Sequence, residues 1–128
     1  MILFLKTDTP VCELSIQNNA GRHDFTWEAG RKLSSGLLEF IENSLKSQQV
    51  HWHDLTGIVV FRGPGSFTGL RIGATVANTI AYSQNIPIVG VTGDQWQQEA
   101  MTRLKAGEND RIVLPEYGRP ARITQPRK

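Results

Sequence analysis

Arg62-Gly63-Pro64-Gly65-Ser66-Phe67-Thr68-Gly69-Leu70-Arg71-Ile72-Gly73 is the stretch on which the fold turns. Before it, Gly57 to Phe61 is apolar at successive positions, the pattern of a strand buried on both faces. After it, apolar residues recur at helical spacing to about residue 84, where Asn85 ends the run. The stretch is thus a strand-to-helix turn, with glycines that permit a tight bend and a helix N-terminus able to hold an anion. Its spacing is G-x-G-x-x-x-G, and no Lys-Ser/Thr pair follows, so it is not a Walker loop. Ser66 lacks glycine two positions to either side, which excludes a nucleophile elbow. Phosphate binding and a purely structural turn remain as its two readings.

Working outward toward the N-terminus, residues 2–8 form a short apolar run read as a strand. Residues 11–17 alternate, Asn18-Asn19-Ala20-Gly21 has turn chemistry, and Arg22 to Trp27 gives a third strand. Three strands on short turns predict an antiparallel meander. From Arg31 to Gln48 the period becomes helical, with Leu33, Leu37, Ile41 and Leu45 every fourth residue and Leu38 alongside.

Toward the C-terminus, Ile86 to Val91 is a fifth strand. Thr92 can cap a third helix that runs to about Ala106, with Gly107 closing it. Arg111 to Leu114 reads as a last short strand. The order βββαβαβα predicts a mixed five-stranded sheet with helices packed on it, and right-handed crossovers put strands four and five beside strand one. This is the α/β topology of one lobe of the ribonuclease H/actin (ASKHA) class. The expected division is a lobe over 1–114 and a basic tail over 115–128.

Composition bounds the function. Of 128 residues, 39% are apolar and 20% charged, enough for a real core. No run is long enough to cross a bilayer, and the opening Met-Ile-Leu-Phe-Leu-Lys is no signal peptide. Cys12 is the lone cysteine, so no internal disulfide can form and a reduced cytoplasmic setting is expected. The net charge of +2 says little, but Arg119, Arg122, Arg127 and Lys128 make an acid-free tail suited to RNA, or else a solvated terminus.

Catalytic groups are sparse. Nuclease chemistry in this class gathers carboxylates around metal ions, and the strand Gly57 to Phe61 supplies none. His51 and His53 flank Trp52 at a spacing that fits metal ligands, but they read as an exposed loop pair, and no metal site is assigned. The second helix carries a row of small residues, Gly69, Gly73, Ala77 and Ala81, and a second stripe, Ile72, Val76 and Ile80. It is therefore apolar on two sides. The small-residue row has two readings, tight packing on the chain's own sheet and docking of a partner's helix; docking is put slightly ahead, with Gly73→Leu expected to block that partner and spare the fold.

The stretch 62–73 is similar to the signature of the TsaB/YeaZ family. Ile2-Leu-Phe-Leu-Lys-Thr-Asp-Thr9 with Cys12, and Ile86-Pro-Ile-Val-Gly-Val-Thr92, resemble the strands around it, so the resemblance covers about residues 2–106. It implies a non-catalytic scaffold or activator subunit that pairs with a TsaD-like catalytic subunit, joined by a TsaE-like ATPase. That assembly moves a threonylcarbamoyl group to an adenosine of tRNA. Carried over, docking uses helices at about 31–48 and 68–84, through Leu33, Leu37, Ile41, Gly69, Leu70, Gly73, Ala77 and Ala81. ATP and magnesium belong to the partner complex, with no cofactor bound by this chain alone.

Three departures stand out. Lys6 replaces the family's aspartate at the end of the first strand, Leu33 replaces a histidine, and about 20 residues stand where the family has a second lobe. Pro115-Glu-Tyr-Gly-Arg119 resembles a motif near the family's C-terminus, which implies an internal deletion of that lobe. The alternatives are a nucleotide hydrolase or old-style glycoprotease acting alone, with Thr7, Thr9, Gly63, Gly65 and Ser66 at the phosphates, and a homodimeric RNA-binding module.

Overall fold

The structure, a computed structural model, describes residues 1–116. Strands β1 (Ile2–Lys6), β2 (Val11–Asn18) and β3 (Gly21–Glu28) form the meander. One turn of 3₁₀ helix (Gly30–Lys32) leads into α1 (Leu33–Ser47). A second such turn (Trp52–Asp54) precedes β4 (Gly57–Phe61). Then come α2 (Phe67–Gln84), β5 (Ile88–Val91) and α3 (Trp96–Lys105). The sheet order is β3-β2-β1-β4-β5, with β1 antiparallel to β2 and parallel to β4. The expected mixed α/β sheet is present; β4 pairs with β1 as expected, whereas β5 lies beyond β4 and not against β1.

Strand periodicity sorts the core into two layers. Leu3, Leu5, Ile58 and Val60 face α1 and α2, packed with Leu37, Ile41 and Ala77. Phe4, Val59 and Phe61 point the other way, onto α3. There the Trp96 ring meets Phe4 and Phe61 edge-on at centroid distances of 6.1 and 5.5 Å, the geometry that aromatic quadrupoles favour. All five residues of β4 are buried, as its unbroken apolar run requires.

The helix ends follow local chemistry. Asn85 adopts φ 57°, its N–H donates to the Tyr82 carbonyl, and the Ile86 N–H donates to the Ala81 carbonyl. This is a Schellman stop, followed by Pro87. Gly107 ends α3 the same way, at φ 83°, its N–H donating to the Leu104 carbonyl and the Glu108 N–H to the Arg103 carbonyl. The start of α3 is corrected: it begins at Trp96 rather than after Thr92, because Gly93 takes φ 86° and breaks the helical path.

The expected strand at 111–114 is also corrected. Val113 is buried, but Asn78 supplies its backbone partners: Nδ2 donates to the Val113 carbonyl at 3.0 Å, and Oδ1 accepts from its N–H at 2.9 Å. One side-chain amide thus does the work of a neighbouring strand. Nor does packing stop at residue 114, since Arg62 Nε donates to the Leu114 carbonyl and the Glu116 N–H donates to that of Arg62.

Burial sets the state of the single thiol. Cys12 is fully buried, and desolvation, aided by the Glu13 carboxylate, pushes its pKa up to about 12. The thiol is therefore protonated and shielded at pH 8. Iodoacetamide should label it at least ~100-fold more slowly in the native chain than in denaturant, as read by mass spectrometry. Equal rates would mean that β2 is not packed as described.

Candidate functional site

The signature turn is built around the end of β1. Gly63 carries φ 124°, a conformation that L side chains rarely adopt, and precedes the cis bond to Pro64. Ser66 caps α2, its hydroxyl accepting from the Gly69 N–H at 3.3 Å, while its own N–H donates to the Asp8 carbonyl. A side chain at Gly65 would run into Asp8, 3.0 Å from its carbonyl oxygen. The turn therefore lies directly on the loop after β1.

The residues considered for phosphate spend their polar groups inside the chain. Thr7 is fully buried and its hydroxyl donates to the Gly69 carbonyl at 2.7 Å. Thr9 Oγ1 closes a local turn with the backbone of Val11. Lys6 pairs with Asp8 at 2.7 Å, lies 4.0 Å from Glu13, and sits over the Phe61 ring at 4.7 Å. A lysine held by two carboxylates thus occupies the end of β1.

The docking assignment made from the small-residue row is corrected. Gly69, Gly73, Ala77 and Ala81 all face inward, as do Leu70 and, on α1, Leu33, Leu37 and Ile41. The reason is steric. A Cβ at Gly73 would collide with Thr7 Oγ1 and lie 3.2 Å from its Cβ and Cγ2. One at Gly69 would strike the Thr7 carbonyl oxygen. The row lets α2 settle onto the end of β1 and leaves no room for a foreign helix. Gly73→Leu therefore attacks the fold itself.

The second stripe of α2 lies at the rim of the core. Ile80 is buried, and Ile72 and Val76 are half-buried and pack against the core, flanked by exposed Thr68, Thr75 and Thr79. On α1, Ser34 and Leu38 lie one turn apart, and Leu38 is 55% exposed. Both helices begin at the C-terminal end of β1, where Leu33, Ser34, Thr68 and Ile72 line a largely apolar cleft of about 520 Å³. Sequence periodicity placed two apolar sides on α2 but could not say which one the sheet would take. The basic residues Arg119, Arg122, Arg127 and Lys128 lie outside the described residues. Among the described residues, no helix is long and apolar enough to cross a membrane.

A meander, two parallel crossovers and a glycine turn seated on β1 define one lobe of the actin-like ASKHA fold. The model of the family described as TsaD, tRNA N6-adenosine threonylcarbamoyltransferase, matches residues 27–108. The chain belongs to this family, as a member of its TsaB/YeaZ type.

The Escherichia coli K12 protein named tRNA threonylcarbamoyladenosine biosynthesis protein TsaB is 27% identical over 127 residues, covering 92% of this chain and 55% of its own. The Haemophilus influenzae protein of the same name is 26% identical, over 84% of this chain and 46% of its own. A solved YeaZ from Pseudomonas aeruginosa superimposes with a TM-score of 0.64 at 26% identity, over 71% of this chain and 44% of that one. The chain spans about half the length of the curated relatives it matches.

Proposed function

We propose that this chain is a non-catalytic partner subunit in forming threonylcarbamoyladenosine on tRNA, docking the outer face of α1 and α2 on a TsaD-like catalytic subunit. The observation that carries this is the surface of the paired helices. Half-buried Ile72 and exposed Ser34 and Thr68 line one largely apolar cleft with Arg31, and exposed Leu38 lies one turn beyond Ser34 on α1. An apolar centre with a polar rim is the composition of a protein interface. The relatives' shared name supplies the pathway, and the fold supplies two helices in contact, of 15 and 18 residues. On this reading ATP and magnesium sit with the partner assembly, which a TsaE-like ATPase and tRNA join. A second copy of this chain is the natural competitor for the same face.

Leu38→Arg and Thr75→Arg test the proposal, because both sites are exposed and tolerate charge without unfolding. Each should weaken the complex with the cognate TsaD-like protein by roughly 30-fold or more, about 2 kcal/mol at an interface hot spot. Glu99→Arg on α3 is the control and should leave binding unchanged. Absence of a complex with the parent chain, or variants that bind like the parent, would remove this function.

A lone nucleotide hydrolase is less well supported. Thr7 and Ser66 are committed to internal bonds, and Lys6 is held by acids.

A further inference from the structure

We propose that His51, His53 and Asp54 form a surface site for a divalent transition metal ion of the zinc class, with two imidazole nitrogens and one carboxylate oxygen as ligands. The site goes beyond the docking function and does not rest on it. It lies in the turn that precedes β4, whereas the signature turn follows that strand.

The local fold gathers the three side chains. The 3₁₀ turn closes through the Asp54 N–H to the His51 carbonyl and the Leu55 N–H to the Trp52 carbonyl. Half-buried Trp52 and buried Leu55 pin the turn to the main core. Its polar side chains are thereby turned outward together. The two imidazole rings lie 5.3 Å apart at 18° to one another. His51 Nδ1 is 3.9 Å from Asp54 Oδ2, and His53 Nε2 is 3.7 Å from Asp54 Oδ1. One donor atom from each of the three lies within 4.8 Å of the others.

Tetrahedral zinc, with bonds of about 2.0–2.2 Å, needs its donors roughly 3.3 Å apart. The largest gap, about 1.5 Å, is within reach of χ rotations at three exposed side chains, with the backbone left in place. The His51 backbone N–H donates to Asp54 Oδ2 at 2.8 Å and holds the carboxylate beside the two rings.

The donor set selects the ion. Two nitrogens and one carboxylate suit zinc, copper or nickel, whereas calcium and magnesium require more oxygen ligands. Three protein ligands leave a fourth position for water or for a group from another molecule. Buried, protonated Cys12 does not compete, and His23 lies in β3, away from the turn.

The test is zinc titration of the tag-free chain by calorimetry at pH 7.5, together with His51→Ala, His53→Ala, Asp54→Ala and His23→Ala. The expected result is one zinc per chain, with affinity at least ~10-fold weaker in each of the first three variants and unchanged in His23→Ala. Zinc should also raise the Tm of the parent but not of the His51→Ala/His53→Ala double variant. Parent binding no tighter than that of the double variant, or an equal loss in His23→Ala, would overturn the site and leave only a hydrogen-bonded turn.

Discussion

Gly73→Ala should lower the stability of this chain by about 1–3 kcal/mol, seen as a Tm lower by roughly 4–12 °C. Two effects oppose each other here. Alanine is the better helix former, by up to about 1 kcal/mol. Against that, its methyl would occupy the space of Thr7 Oγ1, and Thr7 has nowhere to go. That residue is fully buried, and its hydroxyl is committed to the Gly69 carbonyl at 2.7 Å. Either α2 lifts from the end of β1 or the threonine surrenders its bond, so the steric term wins. Gly73→Leu should fail to reach the native state.

The mechanism has its own signature. Thr7→Ala removes the obstructing oxygen, so the Thr7→Ala/Gly73→Ala pair should lose less than the two single losses together, by about 1 kcal/mol. Thr75→Ala, two residues on but facing solvent, should change stability by less than about 0.5 kcal/mol. A Gly73→Ala chain as stable as its parent would show that the row does not close on Thr7.

The second large effect concerns the sheet edge. Among the described residues β5 has its only strand neighbour in β4, so its outer backbone groups need other partners. The Ile88 N–H donates to Asn109 Oδ1, and the Ile88 carbonyl accepts from the Asp110 N–H. The Gly90 N–H donates to Asp110 Oδ2 at 2.8 Å, and the Gly90 carbonyl accepts from Arg103 Nη1 at 3.0 Å. Arg103 is clamped by both Asp110 and Glu108, which raise its already high pKa. Three side chains therefore fill the place of a sixth strand.

Asp110→Ala removes the acceptor for Gly90 and half of the Arg103 clamp. The expected cost is about 2–4 kcal/mol, since a part-buried donor is left unsatisfied and a partly shielded ion pair is lost. A urea midpoint measures it, and light scattering should show concentration-dependent association through the opened edge. Asp110→Asn, which keeps an acceptor oxygen, should lose less. An Asp110→Ala chain matching exposed Asp94→Ala would rule out this closure of the edge.

Much of the fold was legible because periodicity survives in a single sequence. The leucines of α1, the unbroken apolar run of β4 and the Asn85 stop each declare themselves locally. The segment Ile112-Val113-Leu114 misled because an apolar triplet looks the same whether its backbone pairs with a strand or with one asparagine. The histidines at 51 and 53 were visible as a spacing. Asp54 joined them only when the turn brought its carboxylate round. The small-residue row was read as an open side of α2, and it is buried, since Gly-Ala and Ile-Val rows both look apolar on a helical projection.

The sequence alone determined the order of elements, their buried periodicities and the family to which they belong, because these depend on spacing and residue type. Which row of α2 meets the sheet, how the β5 edge is closed and where two imidazoles meet a carboxylate were decided only in three dimensions. Each depends on the volume and polarity of a group distant in the chain. The hydroxyl of Thr7, 66 residues before Gly73, is the plainest case: it leaves space for a hydrogen atom and none for a methyl.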